Sequence, residues 1–420
     1  MAARASILVV GAGIGGLSAA LALARSGYGV NVFEQASELE DIGAGIQLSP
    51  NATRVLLALG LGETLKPHVI APAEVHIRAS NGSELAHIPL GRFAEARYGA
   101  PYWVLHRGDL QAVLVDAVRA NPDITLTLNA EINEFAVDGS GVTIRGVRDR
   151  TDFTHYQATD GFPLKEHGLV LIGADGINST IRLELNPVPH WLPARHAWPR
   201  YANRTACRAT IPYTAAPEDL RDDRVHLWLG RNAHLVHYPV KGGTAINVVA
   251  ITRDSRDRSD WAAPEATSAD VLVHFPLSEW SQAAQKILAA PEHWLRWPLF
   301  DRPPSRHWGR GPVTLLGDAA HASLPFLAQG AAMAIEDAAV LADCLRTSLD
   351  APKQALRRYE DERQARTARI QRAARRNGLV YHLGGPAAAA RNYVLRNMSG
   401  ERLLTRYDWL YDWRPPSDPD

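Results

Sequence analysis

The sequence predicts a mixed α/β (α+β) protein in which a parallel sheet is interrupted by an inserted antiparallel sheet and followed by helices. Residues 6–10 form an apolar, β-branched run, and a glycine-rich turn, a helix-like segment and a second such run follow directly. This order is typical of parallel strands joined by a helix. Two later apolar runs, 169–172 and 313–316, each stop shortly before an aspartate. Between them, short strand-like runs separated by turn residues predict an antiparallel sheet.

These patterns predict a division of the 420 residues into units. The parallel sheet is discontinuous in sequence and takes residues 1–185 and 299–349. The inserted antiparallel sheet takes residues 186–298, and part of 72–104 joins it. Residues 350–414 are expected to form a C-terminal helical segment. A chain of this length is long enough for a large core and more than one domain.

Composition and charge exclude several classes of protein. Lys plus Arg and Asp plus Glu number 45 each, and this balance argues against a nucleic-acid partner. Cys207 and Cys344 lie far apart, which predicts no disulfide framework, no metal site and a cytoplasmic location. No apolar run reaches the ~18 residues of an integral membrane helix. The Arg-rich stretch 350–383, with Glu362 and Arg366 at i, i+4 spacing, predicts a solvent-exposed helix face.

The first functional signal is the glycine pattern after the first strand. Gly11, Gly13 and Gly16 have the G-x-G-x-x-G spacing, which permits a tight turn, close approach of a pyrophosphate and close helix–strand packing. The free N–H groups of the helix that follows favour phosphate binding. Glu34 ends the second strand, where an acid can bind a ribose hydroxyl, and Gln35 after it brings no charge for a 2′-phosphate. The pattern predicts a Rossmann-like dinucleotide site without distinguishing FAD from NAD; a glycine-rich turn without ligand is the alternative.

Two further segments contain the aspartates. Asp175 follows the run 169–172, and a strand leading into an N-capped helix is an equally good interpretation of this segment. Asp318 follows the run 313–316. From Gly330 a helix begins with Ala331 and Ala332, and its small side chains leave the first-turn amides accessible to a planar ligand.

Together, these segments resemble a known family. "GAGIGG", "GADG" and "GDAAH", in this order, and "LHRGDLQAVL" between the first two, resemble the class A FAD-dependent aromatic hydroxylases, and within them the salicylate, 3-hydroxybenzoate and 6-hydroxynicotinate hydroxylases. The resemblance extends over nearly the whole chain. It implies a glutathione-reductase-like, para-hydroxybenzoate-hydroxylase-like fold with FAD as cofactor. It also implies NADH or NADPH as a transient co-substrate, O2, and hydroxylation of a small phenolic or hydroxy-heteroaromatic acid through a flavin C4a-hydroperoxide.

The resemblance also assigns roles to individual residues. Glu34 is expected to hold the adenosine ribose, Arg107 to contact the FAD chain, and Asp175 to support the flavin or nicotinamide site. Asp318 is expected to bind the ribityl or pyrophosphate part. The remaining predicted FAD contacts, most of them at the isoalloxazine, are Gln35, Gln47, Gln329, Gly330, Ala331 and Ala332.

The candidate catalytic pair lies in the inserted sheet. His234 and Tyr238 are four residues apart on a predicted strand, so they share one face but lie roughly 13 Å apart, far enough to flank one aromatic ring. Val236 between them would form an apolar wall. The resemblance makes His234 the base that takes the phenol proton, for which a pKa near neutrality is suitable. Structural roles are the alternative for both. Pro325 and Phe326 are expected to line the same pocket.

Several alternatives stay open at this stage. A halogenase or epoxidase of the same superfamily, an NAD-dependent dehydrogenase and a non-catalytic flavin-binding protein are other interpretations of the motifs. The sequence distinguishes neither NADH from NADPH nor a monomer from a homodimer. Arg92, Arg97 and Arg208 are equivalent candidates for binding a substrate carboxylate, and hydroxylation with or without decarboxylation is possible.

Overall fold

The structure is a computed structural model, and it describes residues 6–39, 44–149, 161–187, 198–254, 265–348 and 350–416. The predicted units therefore include ranges outside the described residues. The described strands are β1 Ser6–Val10, β2 Gly29–Phe33, β3 Gly45–Leu48, β4 Glu74–Ala79, β5 Glu84–Pro89, β6 Trp103–His106, β7 Ile124–Thr127, β8 Ala130–Val137, β9 Val142–Arg148, β10 Phe162–Gly168, β11 Val170–Gly173, β12 Arg200–Pro212, β13 Val225–Leu229, β14 Ala233–Val240, β15 Ala245–Arg253, β16 Glu265–Ala266, β17 Trp294–Asp301, β18 Gly309–Arg310 and β19 Val313–Leu315.

The helices alternate with these strands in the first part of the chain and dominate its end. Their bounds are α1 Ile14–Arg25, α2 Pro50–Ala58, α3 Gly62–Leu65, α4 Gly91–Tyr98, α5 Arg107–Ala120, α6 Thr180–Leu185, α7 Ser268–Leu272, α8 Gln282–Ala289, α9 Asp318–His321, α10 Gly330–Arg346, α11 Pro352–Tyr381, α12 Gly385–Arg396, α13 Gly400–Thr405 and α14 Asp408–Tyr411. None of the helices within the described residues has the length and apolarity to cross a membrane.

The first sheet has the strand order β18-β19-β11-β1-β2-β7. Its pairs are parallel except for the edge pair β18–β19. Its central strands are buried, as expected for a parallel sheet covered by helices, and α1 and α10 lie in the same hydrophobic core. Strands β1, β11 and β19 are adjacent, so the three motif segments that follow them meet at one edge of the sheet. This explains how residues near 11, 175 and 318 come together.

The second large sheet is the inserted one, with the order β16-β17-β12-β15-β14-β13-β4-β5. Its pairs are antiparallel except for β13 with β4. The structure therefore contains the predicted antiparallel sheet. Strands β4 and β5, from the segment 72–104, belong to this sheet. Strand β17 runs across the predicted boundary between 298 and 299. The predicted fold class is confirmed; the domain boundaries remain a prediction.

Strand β3 lies where the two sheets meet, and its glycine explains the close approach. The Gly45 N–H donates to Oδ1 of Asn247 on β15 at 2.6 Å. A Cβ at Gly45 would lie 2.6 Å from Cε2 of Tyr238 and 2.6 Å from Cγ of Asn247. A side chain is excluded here by packing, because glycine in a strand permits another segment to approach the backbone closely. The contact positions β3 against the cavity face of the inserted sheet.

Helix α11 corrects one sequence-based expectation. The arginine-rich face is not uniformly solvent-exposed, because Arg363 is 1% exposed and packs against α10. Arg366 forms its ion pair with Glu336, at 2.7 Å, and not with Glu362. Glu362 lies 4.0 Å from Arg358 instead. The predicted i, i+4 pair is wrong because a buried acid on α10 offers Arg366 a less solvated partner.

Candidate active site

A cavity of about 430 Å³ lies between the first sheet and the inserted sheet. Three segments of the first sheet border it: the turn before α1, the segment after β11 and the segment from β19 to α10. The inserted sheet forms the opposite wall, and β3 lies along one side. The lining residues that matter here are Gly13, Gln47, Arg107, Gly176, Arg208, His234, Val236, Tyr238, Asp318, Pro325, Gln329, Gly330 and Ala331.

The three motif glycines have different physical roles. Gly11 has φ of 105°, and a Cβ there would lie 2.4 Å from the carbonyl oxygen of Ala174. A Cβ on Gly16 would lie 1.9 Å from the carbonyl oxygen of Gly11. Gly13 is the N-cap of α1, and a Cβ there would meet nothing within 4 Å. Gly11 and Gly16 are therefore required for packing, whereas Gly13 leaves open space at the N-terminus of a helix.

Glu34 secures the glycine turn from the end of β2. Its carboxylate accepts from the backbone N–H of Ala12 at 2.8 Å and of Ala36 at 3.0 Å. The side chain of Gln111 on α5 donates to the Ala12 carbonyl at 3.3 Å, a contact that the sequence did not indicate. Gln35 is exposed and does not line the cavity. Glu34 keeps further acceptor capacity for a ribose hydroxyl, because a carboxylate offers about four lone-pair sites.

Asp318 and Arg107 lie at the cavity with opposite charges. The side chain of Asp318 is open to the cavity on one side and enclosed by protein on the others. Burial raises its pKa, although the charges of His321 and Arg107 act in the opposite direction. Burial likewise lowers the pKa of Arg107, against the effect of Asp318. The two groups thus partly compensate each other and leave polar atoms available to a ligand.

Asp175 has a local structural role in the segment after β11. Its Oδ2 accepts from the Ile181 N–H at 3.1 Å, and Ser179 is the N-cap of α6, accepting from the Arg182 N–H. The N-capped helix considered as the alternative is therefore present. Oδ1 of Asp175 is buried without a hydrogen-bond partner among the described residues. The flanking Ala174 and Gly176 line the cavity. Asp175 itself stabilises this segment through its hydrogen bond to the Ile181 N–H.

The start of α10 presents backbone to the cavity, as expected. Gln329 is its N-cap, and Gly330 and Ala331 line the cavity. The Gln329 side chain points away: its Nε2 donates to Ser49 Oγ at 2.8 Å, so only its main chain faces a ligand. Ala332 is fully buried in the core and does not line the cavity. Of the four residues predicted to contact the isoalloxazine, Gln329 to Ala332, only 329–331 face the cavity, and Gln329 does so with its backbone.

These features fit a bound FAD. The open space at Gly13 adjoins the N-terminus of α1, which attracts phosphate. A Cβ on Gly330 would also meet nothing within 4 Å, so a flat ring can approach the first-turn amides of α10. In such a complex Glu34 would hold the ribose and Asp318 the chain between the two ends. The flavin ring would then lie against the inserted sheet.

A buried charge network beneath this segment was not predicted from the sequence. Asp337 on α10 accepts from the Gly317 N–H at 3.0 Å, from His321 Nε2 at 2.6 Å and from Arg363 Nε at 2.7 Å. Glu336 is paired with Arg363 at 2.7 Å and Arg366 at 2.7 Å. Burial raises the pKa of Asp337, but the charges of His321 and Arg363 outweigh it and lower the pKa to about 2. The network fixes the turn that precedes Asp318.

Glu336 connects the same network to the turn before α2. Asn51 Nδ2 donates to Glu336 Oε1 and, at 3.1 Å, to Gln329 Oε1. Ser49 and Asn51 are fully buried, as are both acids. The sequence "AIED" contained the two acids, but their partners lie 16 to 285 residues away along the chain, and sequence spacing gives no signal for such pairs. These contacts hold the N-terminus of α10 at the cavity.

His234 lies at the other wall of the cavity with a partner that the sequence did not indicate. Its Nδ1 lies 2.7 Å from His382 Nε2, and His382 Nδ1 lies 2.5 Å from the Gly378 carbonyl oxygen. Burial first, then the charges of His382 and Arg204, lowers the pKa of His234 well below its usual value. The expectation of a pKa near neutrality is therefore wrong. His234 is a neutral imidazole at pH 7.

Tyr238 lies on the same face as His234 and Val236, as the strand period required. It is 3% exposed, and burial raises its pKa, against opposing effects of Arg208 and a hydrogen bond from Gln47. Gln47 Oε1 also accepts from the Tyr102 hydroxyl at 2.7 Å. Gln47, which was predicted to contact the flavin, therefore also forms hydrogen bonds with Tyr102 and Tyr238 on the side of the cavity proposed for the substrate.

A second cavity of about 410 Å³ continues from the first along the same face of the inserted sheet. Pro325, His234 and Val236 line both cavities, whereas Phe326 lines only the second. Phe326 packs against His234 with ring centroids 5.6 Å apart. A Cβ on Gly378 would lie 2.6 Å from the Phe326 ring, so this glycine in α11 permits the contact. Pro325 and Phe326 therefore form a wall beside His234.

The opposite face of the inserted sheet contains a row of histidines. His87, His76, His226 and His237 are registered across β5, β4, β13 and β14. Glu74, His76 and His87 offer ligand atoms within 4.8 Å of one another. Arg224 pairs with Glu74 at 2.9 Å, and Arg78 lies 3.3 Å from His76. The imidazoles of His76 and His87 are stacked. We interpret this group as an ion-pair cluster; it lies apart from the cavity.

Removal of the Asp337 charge tests the network. In Asp337→Asn, the buried Arg363 loses one of its two acids, and we expect the free energy of unfolding to fall by about 3–5 kcal/mol. Asp343→Asn is the matched control, because Asp343 lies on the same helix and pairs at the surface with Arg346. We expect the control to lose about 1 kcal/mol or less. Equal losses in denaturant unfolding of the two variants would show that the buried network is not a stabilising element.

Comparison with known proteins agrees with this site. Residues 4–374 match the family model described as an FAD binding domain. A 3-hydroxybenzoate 6-hydroxylase from Polaromonas naphthalenivorans (strain CJ2) is 36% identical over 408 residues, covering 97% of this chain and 96% of that protein. A 6-hydroxynicotinate 3-monooxygenase from Bordetella bronchiseptica is 33% identical over 379 residues, covering 90% of this chain and 92% of that protein.

Solved structures agree as well. The structure of Klebsiella pneumoniae HpxO complexed with FAD and uric acid has a TM-score of 0.79 at 26% identity, covering 96% of this chain and 95% of that one. The match to the FAD-binding family model over residues 4–374 excludes an NAD-dependent dehydrogenase, one of the alternatives left open by the sequence. The chain belongs to the FAD-binding-domain family and, within it, to the flavin-dependent aromatic hydroxylases.

Proposed function

We propose that this enzyme hydroxylates a small phenolic or hydroxy-heteroaromatic carboxylic acid, of the 3-hydroxybenzoate or salicylate type, with NADH or NADPH and O2. The observation that carries the proposal is the position of His234 and Tyr238 around Val236, on the wall of the cavity that faces the predicted flavin end. Bound FAD would supply the electrons taken from the nicotinamide and the activated oxygen. The residues of the chain place the substrate, exclude water and move one proton.

The hydrogen bonds of His382 determine which nitrogen of His234 is the base. The Gly378 carbonyl can only accept, so His382 Nδ1 carries the proton that it shares with this oxygen. With His382 neutral, its Nε2 can then only accept, so His234 Nδ1 donates to it. His234 Nε2 is left with its lone pair. Both pKa values are lowered, that of His382 to about 4, so both rings are neutral near pH 7.

In the proposed step, His234 Nε2 accepts the proton of the substrate hydroxyl. The phenolate that forms is a better nucleophile than the phenol, which favours attack on an electrophilic oxygen. The imidazolium is stabilised through its Nδ1–H bond to His382, in the way that a base is commonly oriented by a third group. Tyr238 and Val236 hold the far end and the face of the ring. Phe326 and Pro325 keep water from His234.

We also propose that the protein is located in the cytoplasm. Cys207 and Cys344 are buried and free, which is compatible with the reducing cytoplasm.

A substrate panel tests the function. Purified enzyme with FAD is supplied with NADH or NADPH and with salicylate, 3-hydroxybenzoate, 4-hydroxybenzoate or 6-hydroxynicotinate. We expect at least one acid to stimulate nicotinamide oxidation and to give a product that contains one additional oxygen atom, identified by mass. If every acid leaves nicotinamide oxidation at its basal rate, or stimulates it without a hydroxylated product, the proposed function is wrong.

Three substitutions at two positions test the base and its partner. His234→Ala is expected to retain FAD and to lower kcat about 10²–10⁴-fold, the usual contribution of a general base. His382→Leu removes the acceptor of Nδ1 and is expected to lower kcat about 10- to 100-fold with KM unchanged, as for a hydrogen bond to a group that becomes charged. His382→Gln offers an amide acceptor and should restore most of the rate. If the leucine and glutamine variants are equally impaired, His382 has only a packing role.

The wild-type pH profile adds an independent check. Because the pKa of His234 lies well below 6.5, its Nε2 is already unprotonated above that pH. The acid limb of kcat/KM that depends on His234 should therefore lie below pH 6.5. An acid limb centred at or above pH 6.5 that disappears in His234→Ala would contradict this placement.

A further inference from the structure

Arg208 is the cation that the cavity leaves without a partner. It lies on β12 and lines the cavity. Its Nε is buried and has no hydrogen-bond partner among the described residues. No carboxylate in the described part of the chain forms a salt bridge with it, and the charge of Arg107, which also acts on it, has the same sign. Arg208 as a whole is half-buried, and a cation partly removed from water without an anion is costly, which indicates that its partner is a ligand.

The register of the inserted sheet places Arg208 beside the proposed substrate position. Arg208 pairs with Val249, and Val249 pairs with Val236. The row continues through Leu227 and Ile77 on one side and through Leu295 and the exposed Glu265 on the other, so Arg208 borders the apolar part of the row that lies over the cavity. At ~4.8 Å between neighbouring strands, its Cα lies about 10 Å from that of Val236. An extended arginine side chain spans most of this distance, so its guanidinium can contact the edge of a ring lying on Val236.

The other two arginines considered from the sequence are excluded by their positions. Arg97 donates two hydrogen bonds to Asp408, at 3.0 and 2.6 Å, and is partly exposed. Arg92 is exposed on α4 and lines neither cavity. Arg107 also lines the cavity, but the charge of Asp318 compensates it. Arg208 is thus the one of these four that lines the cavity without a carboxylate to compensate its charge.

We propose that Arg208 binds the carboxylate of the aromatic substrate and so determines that the enzyme accepts anionic acids. This inference rests on the proposed function. A guanidinium presents paired N–H donors whose geometry matches the two oxygens of a carboxylate. With the carboxylate at Arg208 and the hydroxyl at His234 Nε2, the ring lies on Val236 and Val249. The two polar substituents of the substrate are then recognised at two separate rows of the sheet.

Comparison of an aromatic acid with its carboxamide tests whether Arg208 binds the carboxylate. The acid that the wild type hydroxylates fastest and its carboxamide are titrated into the FAD-loaded enzyme, and the change in flavin absorbance gives Kd. Arg208→Gln should raise Kd and KM for the acid about 10- to 100-fold, as expected for a lost hydrogen bond between charged groups. It should change those for the amide about 3-fold or less. Arg208→Lys should recover part of the loss, because it keeps the charge without the planar pair of donors.

Arg253→Gln is the control, because Arg253 is an exposed arginine of the same sheet, on β15. It should leave all these constants unchanged. If Arg208→Gln weakens acid and amide equally, or loses FAD, Arg208 serves the cofactor and the inference is overturned. If the wild type hydroxylates an acid that Arg208→Gln binds equally well, only this inference fails. If the wild type hydroxylates none of the acids, the proposed function fails and this inference with it.

Discussion

The candidate site depends on one buried set of charges, Glu336 and Asp337 of α10 with Arg363 and Arg366 of α11. Both acids are fully buried, so leaving either without its arginine would cost several kcal/mol, of the order of 3–5 kcal/mol. The network reaches Gly317 through Asp337 and the turn before α2 through Glu336 and Asn51. It therefore fixes two of the segments that border the cavity. The long helix α11 has a purpose beyond covering the core, since it supplies both cations.

The same helix also orients the chemistry on the opposite wall. Its Gly378 leaves room for the Phe326 ring and, through His382, fixes the proton on Nδ1 of His234. One element thus connects the flavin end of the cavity to the proposed base. The inserted sheet supplies the rest: an apolar face with His234 and Tyr238 along one strand and Arg208 two strands away. Polar groups placed at the edges of an apolar cavity are typical of sites for small aromatic ligands.

The sequence was sufficient for features that depend on local pattern. The glycine spacing and the apolar runs predicted the parallel sheet, and the resemblance to the aromatic hydroxylases assigned the three motif segments to one FAD. Parallel strands present their carboxyl ends at one edge of a sheet, and the three segments meet there. It was insufficient where partners lie far apart in the chain. His382 is 148 residues from His234, and Arg363 is 26 residues from Asp337 on another helix. The pKa of His234 was wrongly expected near neutrality because burial, its main cause, is a property of the fold.

The central claim is that the turn at Gly13 and the segment at Asp318 hold one FAD between them. The flavin content of Asp318→Ala, measured as flavin absorbance relative to protein absorbance after purification, tests it most directly. Asp361→Ala, an exposed position on α11, is the matched control. We expect the control to keep its full flavin content and the Asp318 variant to be folded but largely free of flavin. An Asp318→Ala protein that retains its full flavin content would contradict the assignment of this segment to the cofactor.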